Sequence, residues 1–293
     1  MPTHLAKRLY AAMPDRLLYH YTGYEALLGI VRTAELWATD IHYFNDSSEL
    51  QHAVVLFQTA LRTVGDSAAF PSEMIEQLRN WLDQRLADGH RLFVSCFSED
   101  GNLLSQWRGY TPHGNGVSLG FDPAFLSSCA SAQGFEIGRC IYDREHQASV
   151  AKEAIESLLQ YATTCGPAMP QQAHPSQSYY PTFFAQEVHL LSIAALLKNP
   201  AFVAELEWRA VSPVWPSYVD NPARYRAGRT TLIPYMPLPL GVNSASPMRL
   251  AHVYLGPTPQ TNLAMGALST FLAANRLNPA SGLQASLLPY RET

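Results

Sequence analysis

Lysine is scarce in this chain of 293 residues: Lys7, Lys152 and Lys198 are the only three among 20 basic residues. Cationic chemistry therefore falls to arginine, which forks onto carboxylates and phosphates and keeps its charge when buried. Charge of either sign is thin, at 15% of residues, and a net balance of -4 does not call for a polyanionic partner. A nucleic-acid contact would need a local patch; Arg224, Arg226 and Arg229 are the candidate, although such a group also reads as a solvated loop. Cysteine is sparse too. Cys96, Cys129, Cys140 and Cys165 show no C-x-x-C spacing, which argues against a zinc site or disulfide framework and for a reducing cytoplasm. Residues 1–16 contain no continuous apolar core of a signal peptide, and no apolar run approaches the ~20 residues of a membrane span. Internal repeats and low-complexity linkers are missing. The expectation is a soluble, cytoplasmic protein with no membrane partner. It folds as one α+β domain over residues 1–293, with an N-terminal extension at 1–16 and a mainly helical insertion at 145–197.

What is present is an alternation of short strands and helices. Residues 17–21 have strand periodicity, with Leu18, His20 and Thr22 on one face and Tyr19 and Tyr21 on the other. Thr22 and Glu25 have capping-box spacing before a helix over 23–32, and Asp46 and Glu49 repeat it before a helix running to about residue 63. An extended piece at 35–38 and a helix behind Pro71 over 72–86 are expected, then strands at 91–97, 117–121 and 136–142. Helices dominate 145–197 around a loop at 166–178, and strand returns at 208–214. Pro222, Pro234, Pro237 and Pro239 predict a long connector with one strand near 231–235, ahead of a strand at 250–255 and a helix at 262–275.

Two function classes can be argued from residue types alone. Asp40, His42, Asp46, Glu49 and His52 crowd one stretch, and Glu49 and His52 have the i, i+3 spacing of helical metal ligands. No second Glu-x-x-His completes a coordination shell, so metal-dependent hydrolysis is an alternative and no metal is expected. A non-catalytic module binding a nucleotide or protein is the other alternative. Trp107 and Trp208 read as core aromatics, Glu205 as a water-facing helix end, and Glu207 with Arg209 as same-face neighbours on a strand.

Four polar clusters remain. They are His20-Tyr21-Thr22; Phe44-Asn45-Asp46 with Glu49; Phe97-Ser98 followed by Ser105 and Trp107-Arg108-Gly109-Tyr110; and Glu205-Leu206-Glu207-Trp208-Arg209 with Lys198 before it. In this order they resemble a bacterial family of uncharacterised domains with the pattern H-Y-T, F-N-D-x-x-E, F-S…W-x-x-Y and E-x-E-x-R. Leu255-Gly256-Pro257 is similar to that family's ending. The pattern is in turn similar, in order and residue type, to the ADP-ribosyltransferases. That resemblance implies an α+β fold in which a split antiparallel sheet with helical insertions grips NAD as a substrate. It implies His20, Tyr110 and Glu207 as catalytic residues, with His20, Tyr21, Thr22, Ser98, Tyr110 and Arg108 or Arg32 holding the dinucleotide. Asn45, Asp46, Glu49 and Glu205 would face the substrate. The implied activity moves ADP-ribose from NAD onto a protein or nucleic acid, in phage defence or as a toxin, with a neutralising antitoxin as a further partner. Loss of nicotinamide builds positive charge on the ribose, and a carboxylate is suited to stabilise it.

Overall fold

The computed structural model describes residues 2–44, 49–67, 69–86, 91–111, 115–170, 172–215, 222–228, 230–241 and 247–288. Among the described residues, ten strands form one open sheet with helices on both faces. They are β1 (Leu18–Thr22), β2 (Glu35–Asp40), β3 (Phe93–Ser98), β4 (Val117–Phe121) and β5 (Glu136–Arg139). The later five are β6 (Glu207–Val211), β7 (Arg224–Ala227), β8 (Leu232–Pro239), β9 (His252–Leu255) and β10 (Leu283–Ala285). The path runs β10-β9-β4-β1-β3-β2-β8-β7, with β6 alongside β3 and β5 alongside β6. The sheet is largely antiparallel; β9 and β10 pair in parallel.

The sheet forks at β3. One edge of that strand carries β6 from Val94↔Val211 to Ser98↔Glu207. The opposite edge is shared, because β2 pairs at Asp40↔Phe93 and Thr39↔Val94 whereas β1 pairs at Tyr19↔Ser98. Main-chain groups alternate in direction along a strand. Phe93 turns its carbonyl to the β6 side, where Ser212 donates to it, and Leu92 turns its carbonyl to Ile41 on the β2 side. Cys96 therefore presents its main chain to the opening where β1 and β2 splay apart.

Residues opposite one another in an antiparallel ladder share a face. Leu18, Phe97, Leu119, Phe121, Trp208 and Ala210 lie on one face. There they form a core with α2 (Tyr24–Thr33), α6 (Pro123–Ala132) and α9 (Thr261–Ala274). Val94 and Val211 lie on the other face, packed against α1 (Pro2–Leu9), α3 (Glu49–Gly65), α4 (Ser72–Trp81), α7 (Arg144–Cys165) and α8 (Tyr180–Ala194). The short α5 (Leu104–Tyr110) lies against β1 through Trp107, whose indole meets the Tyr21 ring edge-on at 4.8 Å.

Several sequence expectations need correction. The Thr22–Glu25 capping box does not form: Thr22 ends β1, and Gly23 caps α2 without any side-chain bond. Residues 1–16 are more than an extension, since α1 buries Leu5 and Ala6 in the helical core. The helix expected over 72–86 continues past Trp81 as a wider π-turn segment, Leu82–Leu86. The proline-rich connector is two strands, with Pro234, Pro237 and Pro239 all inside β8. Their missing N–H groups are harmless where they fall. Leu240 donates toward β2, at Ala34, so even-numbered amides face β2 and odd-numbered ones face β7. β7 reaches only Tyr235 and β2 also stops at Tyr235 from its own side, so each proline points its nitrogen at an unpaired edge.

Candidate functional site

The densest polar cluster lies at the start of β6, on the face shared with Cys96. Glu207 and Arg209 are two apart on the strand, and Arg209 Nε donates to Glu207 Oε1 at 2.8 Å. Arg209 Nη1 also donates to the carbonyl of Ala195 at 2.7 Å, and its guanidinium lies 5.6 Å from the Phe44 ring centre. Lys198 Nζ donates to Glu207 Oε2 and, at 2.6 Å, to Glu205 Oε2. One ammonium thus joins both carboxylates. This is possible because Leu206, between them, adopts a left-handed backbone with φ 48 and ψ 49, a conformation that a branched side chain adopts at some cost. The turn brings Glu205, at the end of a 3-10 segment Pro200–Glu205, back over the strand.

The scaffold behind the cluster is saturated with hydrogen bonds. Gln147 Nε2 donates to the carbonyls of Lys198, at 2.7 Å, and Ile141, at 2.6 Å, while its Oε1 lies 3.2 Å from His52 Nε2. Ser98 Oγ donates to the Glu205 carbonyl at 2.8 Å and accepts from Asp100 N–H. Tyr142 Oη accepts from Glu207 N–H at 3.1 Å. Lys198, Glu207 and Arg209 are buried, and burying three charges without mutual pairing would be prohibitive.

The two carboxylates differ in kind. Burial opposes the charge of Glu207, but Arg209 and Lys198 outweigh it and hold the carboxyl at about 2. Both its oxygens are engaged. Burial dominates at Glu205 and raises its carboxyl above the ordinary value, with Lys198 pulling the other way. Its side chain keeps 14% of its exposure, and its Oε1 has no partner among the described residues. The expectation of a water-facing Glu205 is thereby corrected: it is partly open and ion-paired. Tyr110 reaches the same cluster from the end of α5. Its residue is 43% exposed, yet burial of the hydroxyl, followed by Cys96, Glu205 and Glu207, pushes the phenol well up. Burial and Glu207 likewise push the Cys96 thiol up, so it remains protonated.

His20 occupies a different position. Its Nδ1 lies 3.0 Å from the Cys96 carbonyl and its ring packs near Phe97. A carbonyl only accepts, so Nδ1 carries the proton; burial lowers the imidazole's pKa and the bond to Cys96 partly restores it. Tyr19 pairs with Ser98 and Ser98 with Glu207, so those three share a face and His20, next to Tyr19, projects from the other. His20 meets the cluster only through Cys96, filling the fork. Tyr21 donates to the Asp100 carbonyl at 2.7 Å and accepts from Leu103 N–H at 2.8 Å, so its hydroxyl holds the turn leading into α5. Thr22 is buried, Arg108 is at the surface, and Arg32 lies in the last turn of α2. Asn45 and Asp46 lie outside the described residues, as does the side chain of Glu49.

Of the metal-ligand alternative, Asp40, His42 and His52 lie within the described residues, whereas Asp46 and the Glu49 side chain do not. Asp40 accepts from His42 Nδ1 at 2.8 Å and pairs with Arg91, while His52 is bonded to Gln147. Among the described residues no group of three or more His, Cys, Asp or Glu could hold a metal ion. All four cysteines are free, and among the described residues no helix is long and apolar enough to cross a membrane. Sequence reasoning missed Lys198 as the joint between the carboxylates and Gln147 as the brace behind it. The rarity of lysine was the available signal for the first; nothing local marked the second.

Residues 106–210 match the profile of a family described as "Protein of unknown function (DUF2971)". The matched stretch runs from α5, with Tyr110, to the end of the Glu205–Arg209 cluster. Neither the curated proteins nor the solved structures contain a match to the chain.

Proposed function

We infer that the chain transfers ADP-ribose from NAD to a macromolecule, using the face of the fork that carries Tyr110, Glu205 and Glu207. The observation carrying this reading is the pair of unlike carboxylates on one lysine. Carboxyl groups whose environments push their pKa values apart mark division of labour between a fixed charge and a proton acceptor. Glu207, clamped by Arg209 and Lys198, fixes the ammonium and the local field. Glu205 Oε1 is the oxygen open to a substrate hydroxyl or nucleophile. In the transfer the bond between nicotinamide and ribose breaks with its electron pair leaving on nicotinamide. The acceptor's nucleophile bonds to the ribose carbon, and its proton passes to Glu205. Tyr110 presents an aromatic surface against which the nicotinamide ring stacks, a contact of about 0.5 to 1.5 kcal/mol beyond burial.

The residues fit NAD in part. Tyr110 and Glu205 converge on one face, and the splayed strands β1 and β2 support the split-sheet reading of the fold. His20 is on the other face, so in this scheme it is a positioning residue that fixes the Cys96 segment. Incubation with NAD labelled in its adenylate phosphate and a cell lysate should move label into macromolecules, with an at least hundredfold loss in Glu205→Gln and retained transfer in His20→Asn. No transfer by the wild-type chain, or equal transfer by Glu205→Gln, contradicts the reading. A non-catalytic module is the second reading, favoured by the neutralisation of Glu207; calorimetric NAD binding without nicotinamide release would establish it.

A further inference from the structure

On the cluster's face of the sheet, but on the far side of the fork, the β2–β8–β7 ribbon carries a second polar surface. Thr39, Tyr235 and Arg224 are paired across it, and Trp37 and Arg226 lie two residues along on the same face. Trp37 stacks on Tyr235 with ring centres 4.6 Å apart and planes at 28°; Tyr235 is buried, whereas Trp37 as a residue is 42% exposed. An exposed, pre-stacked indole is a platform for another flat π-system.

Arg226 is the second observation. It is half-buried, donates from Nη2 to Thr39 Oγ1 at 3.2 Å, and has a buried Nε with no partner. Among the described residues no carboxylate pairs with it. A half-buried guanidinium lacking a counter-charge is a costly arrangement unless an anion completes it. Arg224, paired loosely with Glu35 at 3.3 Å, projects in the same direction. Two residues along a strand span roughly 6.6 Å, a spacing suited to successive phosphates of an extended strand. The overall charge of -4 makes this local placement of cations the more specific.

We propose that the Trp37–Tyr235 stack, with Arg226 and Arg224 beside it, binds single-stranded nucleic acid, a base on the indole and the backbone along the arginines. An open sheet face suits a polymer passing across it, and a guanidinium with no carboxylate partner among the described residues selects an anion over a neutral peptide. That this nucleic acid is the ADP-ribose acceptor rests on the transferase reading; the binding itself does not.

The test is fluorescence anisotropy of the full chain with labelled mixed-sequence DNA and RNA ten-mers, without NAD, over a range of salt. Wild type binds with affinity falling as salt rises, Trp37→Ala weakens binding at least about fivefold, and Arg226→Gln lowers the log–log salt slope by about one. Absent binding at low salt overturns the proposal, as does full affinity in Trp37→Ala. Displacement of the oligomer by NAD, with Trp37→Ala losing NAD affinity, assigns the surface to the dinucleotide and also overturns it. Should Trp37→Ala not fold, the slope of Arg226→Gln decides, an unchanged slope counting against. Binding without transfer of label would defeat the transferase reading and leave this surface standing.

Discussion

Lys198, Glu205, Glu207 and Arg209 form a chain of two anions and two cations in which each member has a separate duty. Removing the charge at Glu207 takes a buried carboxylate from both Arg209 and Lys198, and Lys198 keeps the partly open Glu205. Glu207→Gln is expected to destabilise the fold by about 3 to 5 kcal/mol, read as a fall in urea midpoint at constant m-value. Glu205→Gln leaves Lys198 its bond to Glu207 and should cost about 1 kcal/mol. The two isosteric changes therefore separate a stability residue from one free to act in chemistry. Equal costs would mean that Glu205 belongs to the buried frame. His20 shows why residue type alone misleads at this scale. Its identity and place on β1 were legible, but the side of the sheet it takes relative to Glu207 depends on two pairings, Tyr19↔Ser98 and Ser98↔Glu207, that no local pattern reveals.

Between strands and helices, the decisive contact is the clamp of Tyr21 on the turn into α5. Its hydroxyl bridges the Asp100 carbonyl and the Leu103 amide, and its ring meets Trp107. Tyr21→Phe retains the ring and strands both main-chain groups, costing about 1 to 2 kcal/mol. It should also raise hydrogen exchange in residues 103–110, since α5 then loses its tether; unchanged exchange would show that Trp107 alone holds it. The same turn tolerates no added bulk: a Cβ at Gly101 would sit 2.5 Å from the Tyr19 ring. Strand β4 was legible because five residues of the right type follow a glycine-rich turn. Strand β8 was not, because proline is admitted only where neighbouring strands have ended, which is knowledge of pairing rather than of propensity. The Glu207–Arg209 pair followed from period-2 spacing, whereas Lys198 reaches it through a chain reversal at left-handed Leu206.

Taken whole, the molecule stores acid sensitivity in several buried groups of one sign. Burial lowers the pKa of His20 and His252, and of His189 with help from Lys7. The unfolded chain therefore takes up protons first as pH falls below 6.5, and stability declines through the lower folded values. Glu207 acts in the same direction further down. Its contribution is complete above 4.5 and is lost as pH falls toward about 2. Glu205, shifted upward, opposes this trend by favouring the folded state once protonated. Urea midpoints should fall in two stages, one beginning near pH 6.5 and a steeper one below about 4.5. A midpoint constant between pH 7 and 3 would mean that these groups are solvated.

Nicotinamide release from NAD, followed against pH for wild type and Glu205→Gln, puts the central claim to its most direct test. The unlike-carboxylate site predicts a wild-type rate that falls on the acid side with a midpoint above 4.5, the ordinary value from which Glu205 is raised, and a Glu205→Gln rate near zero across the range. No nicotinamide at any pH, or the same acid limb in both proteins, would contradict it.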